Sequence, residues 1–127
     1  MGKKILVVDD DSEIRDLARL ILSGAGYEVA TASSGLGALE LALAQAPDLI
    51  LLDVNMPAMD GWQALRLLKA EETLKALPVV MFTVKGEVCD KVHALQDGAY
   101  DYIAKPFAYD ELLDRIGRIF HSLEVRP

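Results

Sequence analysis

The sequence predicts an α/β domain built on one doubly wound, five-stranded parallel sheet with helices on both faces. Three observations carry this expectation. Short apolar runs alternate strictly with amphipathic stretches, five times in succession. One run, Leu49 to Leu52, is apolar at every position, as suits a central strand covered on both sides. Polar and charged residues stand directly after the runs, where such a sheet opens a crevice at the carboxyl ends of its strands.

The elements follow in order. Ile5 to Val8 reads as a buried strand. Ser12 to Ala25 reads as a helix with Ile14, Leu17, Ala18, Ile21 and Leu22 on one face. Asp11 or Ser12 can cap its first turn, Asp11 being the better choice, and Gly24 and Gly26 can end it. Tyr27 to Thr31 is the second strand, and Ser34 to Ala46 the second helix, closed by Pro47. After the third strand, Pro57 and Gly61 mark Met56 to Gly61 as a loop, followed by a helix from Trp62 to Glu72. Pro78 opens a fourth strand, Val79 to Phe82. Glu87 to Gln96 is a fourth helix, with Gly98 where a C-terminal cap would fall. Tyr100 to Ala104 is the fifth strand. Tyr109 to Leu123 closes the chain, with Leu112, Leu113, Ile116, Ile119 and Phe120 turned inward. Right-handed crossovers and one reversal of strand order are required to cover both faces.

A length of 127 residues suits a single domain, residues 1–127, with no repeat or linker. Aromatics make up only 6%, so the core must be chiefly Leu, Ile, Val and Ala. The formal net charge of -7, with no basic cluster to offset it, disfavours direct nucleic-acid binding. The single cysteine, Cys89, excludes an internal disulfide and fits a reducing compartment. The apolar run after Lys3 and Lys4 is cut short by Asp9, so it is neither a signal peptide nor a membrane span. The expectation is a soluble cytoplasmic protein.

The strand ends carry the chemistry. The first strand leads into Asp9, Asp10 and Asp11, the third into Asp53, the fourth into Thr83, and the fifth into Lys105 and Pro106. Carboxylates gathered in one crevice repel each other unless a cation joins them. An all-oxygen set with few carboxylates and room for water suits magnesium, with manganese a possible substitute. A lysine beside one carboxylate keeps it ionised and draws in an anion. Phosphoryl transfer uses these same parts, and a carboxylate can itself be the nucleophile. Three aspartates in a row exceed what a helix cap needs. A lone strand-end threonine or lysine, by contrast, is commonly structural or solvated. Trp62, Cys89 and His93 read as structural or surface residues, and Met56 and Met59 as packing residues.

Four stretches, in order, resemble the receiver domain of two-component response regulators, the CheY-like family. They are Ile5 to Asp10, Leu51 to Gly61, Met81 to Thr83, and Asp101 to Phe107. The resemblance spans nearly the whole chain and implies a flavodoxin-like (βα)5 sheet of order 2-1-3-4-5. It further implies that Asp53 takes a phosphoryl group from the phosphohistidine of a histidine kinase or phosphotransfer protein. By the same resemblance Asp10 binds magnesium directly, Asp9 through water, and Asn55 through its backbone carbonyl. Lys105 and Thr83 contact phosphoryl oxygens. Thr83 and Tyr102 form a switch, so that the fourth helix, fifth strand and fifth helix change as a partner-binding face. Pro106 becomes a candidate cis-proline. Val84 departs from the small residue usual there and is expected to slow phosphorylation by small donors relative to Val84→Ala. Lys85 is expected to tune the attack of water on the acyl phosphate.

Competing readings meet specific obstacles. A phosphatase of the haloacid dehalogenase type needs an acid/base aspartate two residues after the nucleophile, and that position is Asn55. The expectation is therefore a phosphoacceptor, not an enzyme with substrate turnover. A flavin-binding electron carrier needs a phosphate-cradling loop where this chain has Asp9, Asp10 and Asp11. A degenerate receiver that serves only as a docking module is opposed by the intact acid set. The chain reads as a stand-alone receiver without an output domain, the alternative being a receiver cut from a larger regulator or hybrid kinase. The resemblance also implies a downstream protein target for the switched face.

Overall fold

The computed structural model describes residues 3–54, 56, 59–84, 98–105 and 107–124, with 83 and 84 described by their main chain. The strands are β1 (Lys4–Val8), β2 (Glu28–Ala32), β3 (Leu49–Asp53), β4 (Val79–Val84) and β5 (Asp101–Lys105). They form one parallel sheet of order β2-β1-β3-β4-β5. The helices are α1 (Ser12–Gly24), α2 (Gly35–Gln45), α3 (Gly61–Ala70) and a C-terminal helix (Tyr109–Glu124). The expected fourth helix, with Cys89 and His93, lies outside the described residues, as do Asn55, Lys85 and Pro106.

The central strands β1, β3 and β4 are apolar along most of their length because alternate residues serve two separate layers. Ile5, Val7, Leu49, Leu51, Val80 and Phe82 pack with α1 and the C-terminal helix. Leu6, Val8, Ile50, Leu52, Val79 and Met81 pack with α2 and α3. The chain leaves β1 for one edge, at β2, and returns to the other side of β1 at β3. That reversal sets the crevice between the ends of β1 and β3, where Val8 is in register with Leu52.

Local chemistry fixes the helix ends. Asp11 caps α1 by accepting from the Glu13 amide at 2.9 Å. At the other end the Tyr27 amide donates to Leu22 O and the Gly26 amide to Ser23 O, a Schellman arrangement that requires the positive φ of 97° at Gly26. Ser34 caps α2, which ends on Ala46 in the left-handed region just before Pro47. Asp60 and Gln63 form a reciprocal capping box on α3.

Boundaries differ from the sequence reading in instructive places. β4 runs two residues past Phe82, because its ladder with β5 continues to the Val84–Lys105 pair. That same register shifts β5 one residue later, to end on Lys105. Leu17 does not join the inward face of α1: it is 46% exposed, and Ala18, Ile21 and Leu22 alone are buried there. Leu113 is only partly buried. At Leu17 the packed arc of the helix is narrower than its apolar arc, whereas Leu113 still packs against the core. No helix among the described residues is long and apolar enough to cross a membrane.

Candidate functional site

Three strand ends converge at the crevice. Asp9 follows β1, Asp53 ends β3 and Lys105 ends β5. The Lys105 ammonium donates to Asp9 Oδ2 at 2.6 Å and to Asp53 Oδ1 at 2.9 Å. Both aspartates are buried, at 1% and 4% exposure, and are the buried charged residues among those described. Such groups persist inside a protein only when paired. The lysine also lies over the Phe82 ring, 5.7 Å from its centre, and Phe82 stacks on Phe107. Burial pushes Lys105 down, but its hydrogen bonds and the charges of Asp9 and Asp53 outweigh this and hold it above the ordinary lysine range.

Asp10 is exposed beside this pair. Carboxylate oxygens of Asp9, Asp10 and Asp53 lie within 4.8 Å of one another. One ammonium against three carboxylates leaves negative charge uncompensated when all are ionised. The donors are all oxygen, two walls are buried and one side is open to solvent. That set fits a small, hard divalent cation that keeps several waters. It does not fit zinc, which prefers nitrogen and sulfur.

Asp9 is held at every polar atom. Its amide donates to Ala32 O at 3.2 Å, its Oδ1 accepts from the Asp11 amide at 3.0 Å, and Lys105 holds Oδ2. Its carbonyl accepts from Arg15 Nη1 at 2.8 Å. No motif singled out Arg15, because a charged residue on the first turns of a helix reads as solvated. By sequence alone Gly61 reads only as a loop residue. Its amide donates to Val54 O at 2.8 Å, and a Cβ there would stand 2.2 Å from Asp53 O.

Thr83 lies in β4 one residue past Phe82, which is in register with Asp53, and Thr83 itself pairs with Ala104. Val84 pairs with Lys105. Tyr102 is half-buried on β5, on the side of the sheet that α2 and α3 cover. Arg115 of the C-terminal helix donates to Tyr102 O at 2.6 Å and pairs with Asp101 at 3.1 Å, tying β5 to that helix.

A lysine clamped between two strand-end aspartates, at the switch point of a 2-1-3-4-5 sheet, defines a receiver module of two-component signalling. The family described as response regulator receiver domain matches residues 5–117, and the chain belongs to it. The chain is 40% identical to the DNA-binding dual master transcriptional regulator RpaA of Synechocystis, over 98% of this chain and 52% of that protein. It is 42% identical to the alkaline phosphatase synthesis regulatory protein PhoP of Bacillus subtilis, over 98% of this chain and 51% of that protein. The chain thus spans about half the length of these relatives. Among solved structures it superposes on the chemotaxis protein CheY4 of Vibrio cholerae with a TM-score of 0.87 and 34% identity, covering 94% of this chain and 99% of that one.

Proposed function

We propose that Asp53 is the phosphoryl acceptor of this receiver and that the chain stores a signal as an acyl phosphate. The observation that carries the reading is the Lys105 ammonium, bound at once to Asp53 and Asp9 beside the exposed Asp10. An Asp53 carboxylate oxygen attacks phosphorus, and the bond to the donor's histidine nitrogen breaks. The released imidazole takes up a proton. Lys105 pairs with the Asp53 carboxylate beforehand and offers its ammonium to a phosphoryl oxygen afterwards. Asp9 and Asp10, with Asp53 and the Asn55 carbonyl, would hold magnesium, which when bound neutralises charge on the transferred group.

The donor is a histidine kinase or a histidine phosphotransfer protein. The new charge and acceptor oxygens redirect donors nearby, Thr83 among them, and the change passes to Tyr102 on β5. The face of β5 and the helices beside it then binds the output. For relatives such as RpaA the output is DNA-binding regulation, and the corresponding role here is to control an attached or separate partner. Stoichiometric acceptance fits this reading better than turnover, since position 55 carries an amide.

The test is intact-mass measurement after incubation with magnesium and a small acyl-phosphate donor, and separately with a phosphohistidine donor. A single phosphoryl adduct is expected, and it is absent from Asp53→Asn. No adduct with either donor, or an adduct that survives in Asp53→Asn, overturns the assignment.

A further inference from the structure

Asp10 is the exposed member of the acid cluster, and among the described residues no hydrogen bond holds its side chain. Its direction therefore depends on its backbone. The peptide that joins it to Asp9 is planar, so fixing the Asp9 carbonyl fixes the plane from which Asp10 departs. That carbonyl is bound by Arg15 Nη1 at 2.8 Å. The other three ties on Asp9 act on its amide and carboxylate, and none of them constrains this oxygen directly.

We propose that Arg15 is a positioning residue for the cation site: by holding the Asp9–Asp10 peptide it sets where Asp10 presents its carboxylate. The inference rests on the reading of Asp9, Asp10 and Asp53 as the magnesium-holding acids. Arg15 is itself anchored, because its amide donates to Asp11 O at 3.1 Å in the first turn of α1, and Asp11 is the residue that caps that turn. Residues 9 to 15 thus form a closed unit: the strand end, the cap, one helical turn, and a side chain reaching back to the strand end. A guanidinium suits this post, since it stays charged at all ordinary pH and presents its donors in a rigid fork. Groups that orient a ligand from outside the coordination sphere commonly change metal affinity by about 10–100-fold when removed.

The test is calorimetric titration of magnesium into the unphosphorylated chain, with metal-free melting measured in parallel. Wild type, Arg15→Met, Arg15→Gln and Asp10→Asn are compared. Arg15→Met is expected to bind magnesium about tenfold more weakly. Arg15→Gln keeps one amide donor and should recover part of that loss. The gap between Arg15→Met and wild type should persist at about 1 M salt, where the Debye length is about 3 Å. Binding by Arg15→Met equal to wild type, alongside loss in Asp10→Asn, overturns the positioning role and leaves the acid site intact. Tighter binding by Arg15→Met than by wild type also overturns it, since removing a nearby positive charge by itself strengthens cation binding. If wild type itself does not bind magnesium, the underlying site assignment falls and the role of Arg15 falls with it. Should Arg15→Met fail to fold without metal, the Arg15→Gln comparison decides on the same terms.

Discussion

Asp53 owes its placement to its neighbours as much as to its strand. Gly61 lets the first turn of α3 press against the end of β3, with its amide on Val54 O. A methyl there would lie 2.2 Å from Asp53 O, and backbone cannot swing aside as a side-chain tip can. Gly61→Ala should therefore lower stability by about 1–3 kcal/mol, read from denaturant unfolding. It should also weaken phosphoryl acceptance by moving the Asp53 main chain. Lys69 offers a separate test. Its ammonium donates to Leu77 O at 2.9 Å and Lys75 O at 3.2 Å, closing the connection between α3 and β4. Burial lowers its pKa. The folded state then releases this proton at lower pH than the unfolded chain, whose lysines titrate near 10.4. Between those two points the unfolded state binds more protons, so stability rises with pH. Melting temperature compared with Lys69→Met should shift in favour of wild type as pH climbs toward about 10.4. A difference that is flat with pH would remove the linkage.

At the scale of elements, the C-terminal helix carries one residue that its own fold does not need. Gly117 sits on the exposed face, mid-helix, and a Cβ there meets nothing within 4 Å. Gly117→Ala should stabilise the chain by about 0.5–1 kcal/mol, measured by thermal or denaturant unfolding, because alanine loses less backbone freedom on folding. The same helix shows why its amphipathic pattern was readable. Leu112, Ile116, Ile119 and Phe120 are buried at helical spacing. In α1 the pattern over-reached. Leu17 belongs to the apolar arc by sequence, yet only Ala18, Ile21 and Leu22 are buried. How wide a stripe a helix buries depends on what it packs against, and that is a tertiary property.

For the whole molecule, a cation held by the acid cluster would couple binding to stability. A cation that binds only the folded state adds about 2.7 kcal/mol at one hundred times its dissociation constant. Magnesium should raise the melting temperature by roughly 10 °C under that condition, and a chelator should reverse it. The shift should be lost in Asp10→Asn. A wild-type melting curve indifferent to magnesium would count against the cation site. Such coupling would draw on three strands of the five, since the acids and Lys105 arrive from β1, β3 and β5, and the strand order places β1 and β3 side by side.

The sequence by itself determined the parallel α/β class and the position of every described strand to within two residues, and it marked Asp9, Asp10, Asp53 and Lys105 as candidates. It could do so because side-chain period and strand-end polarity are local, and each is written in a handful of neighbouring residues. The tertiary structure alone decided who meets whom. Lys105 lies 96 residues from Asp9 and 52 from Asp53 in the chain, yet its one ammonium binds both. Arg15 on the Asp9 carbonyl and Gly61 against Asp53 O were likewise illegible as such. An arginine on a helix and a glycine in a loop carry no local mark of the strand they will touch. Those contacts follow from strand order and crossover packing, which no short window of sequence contains.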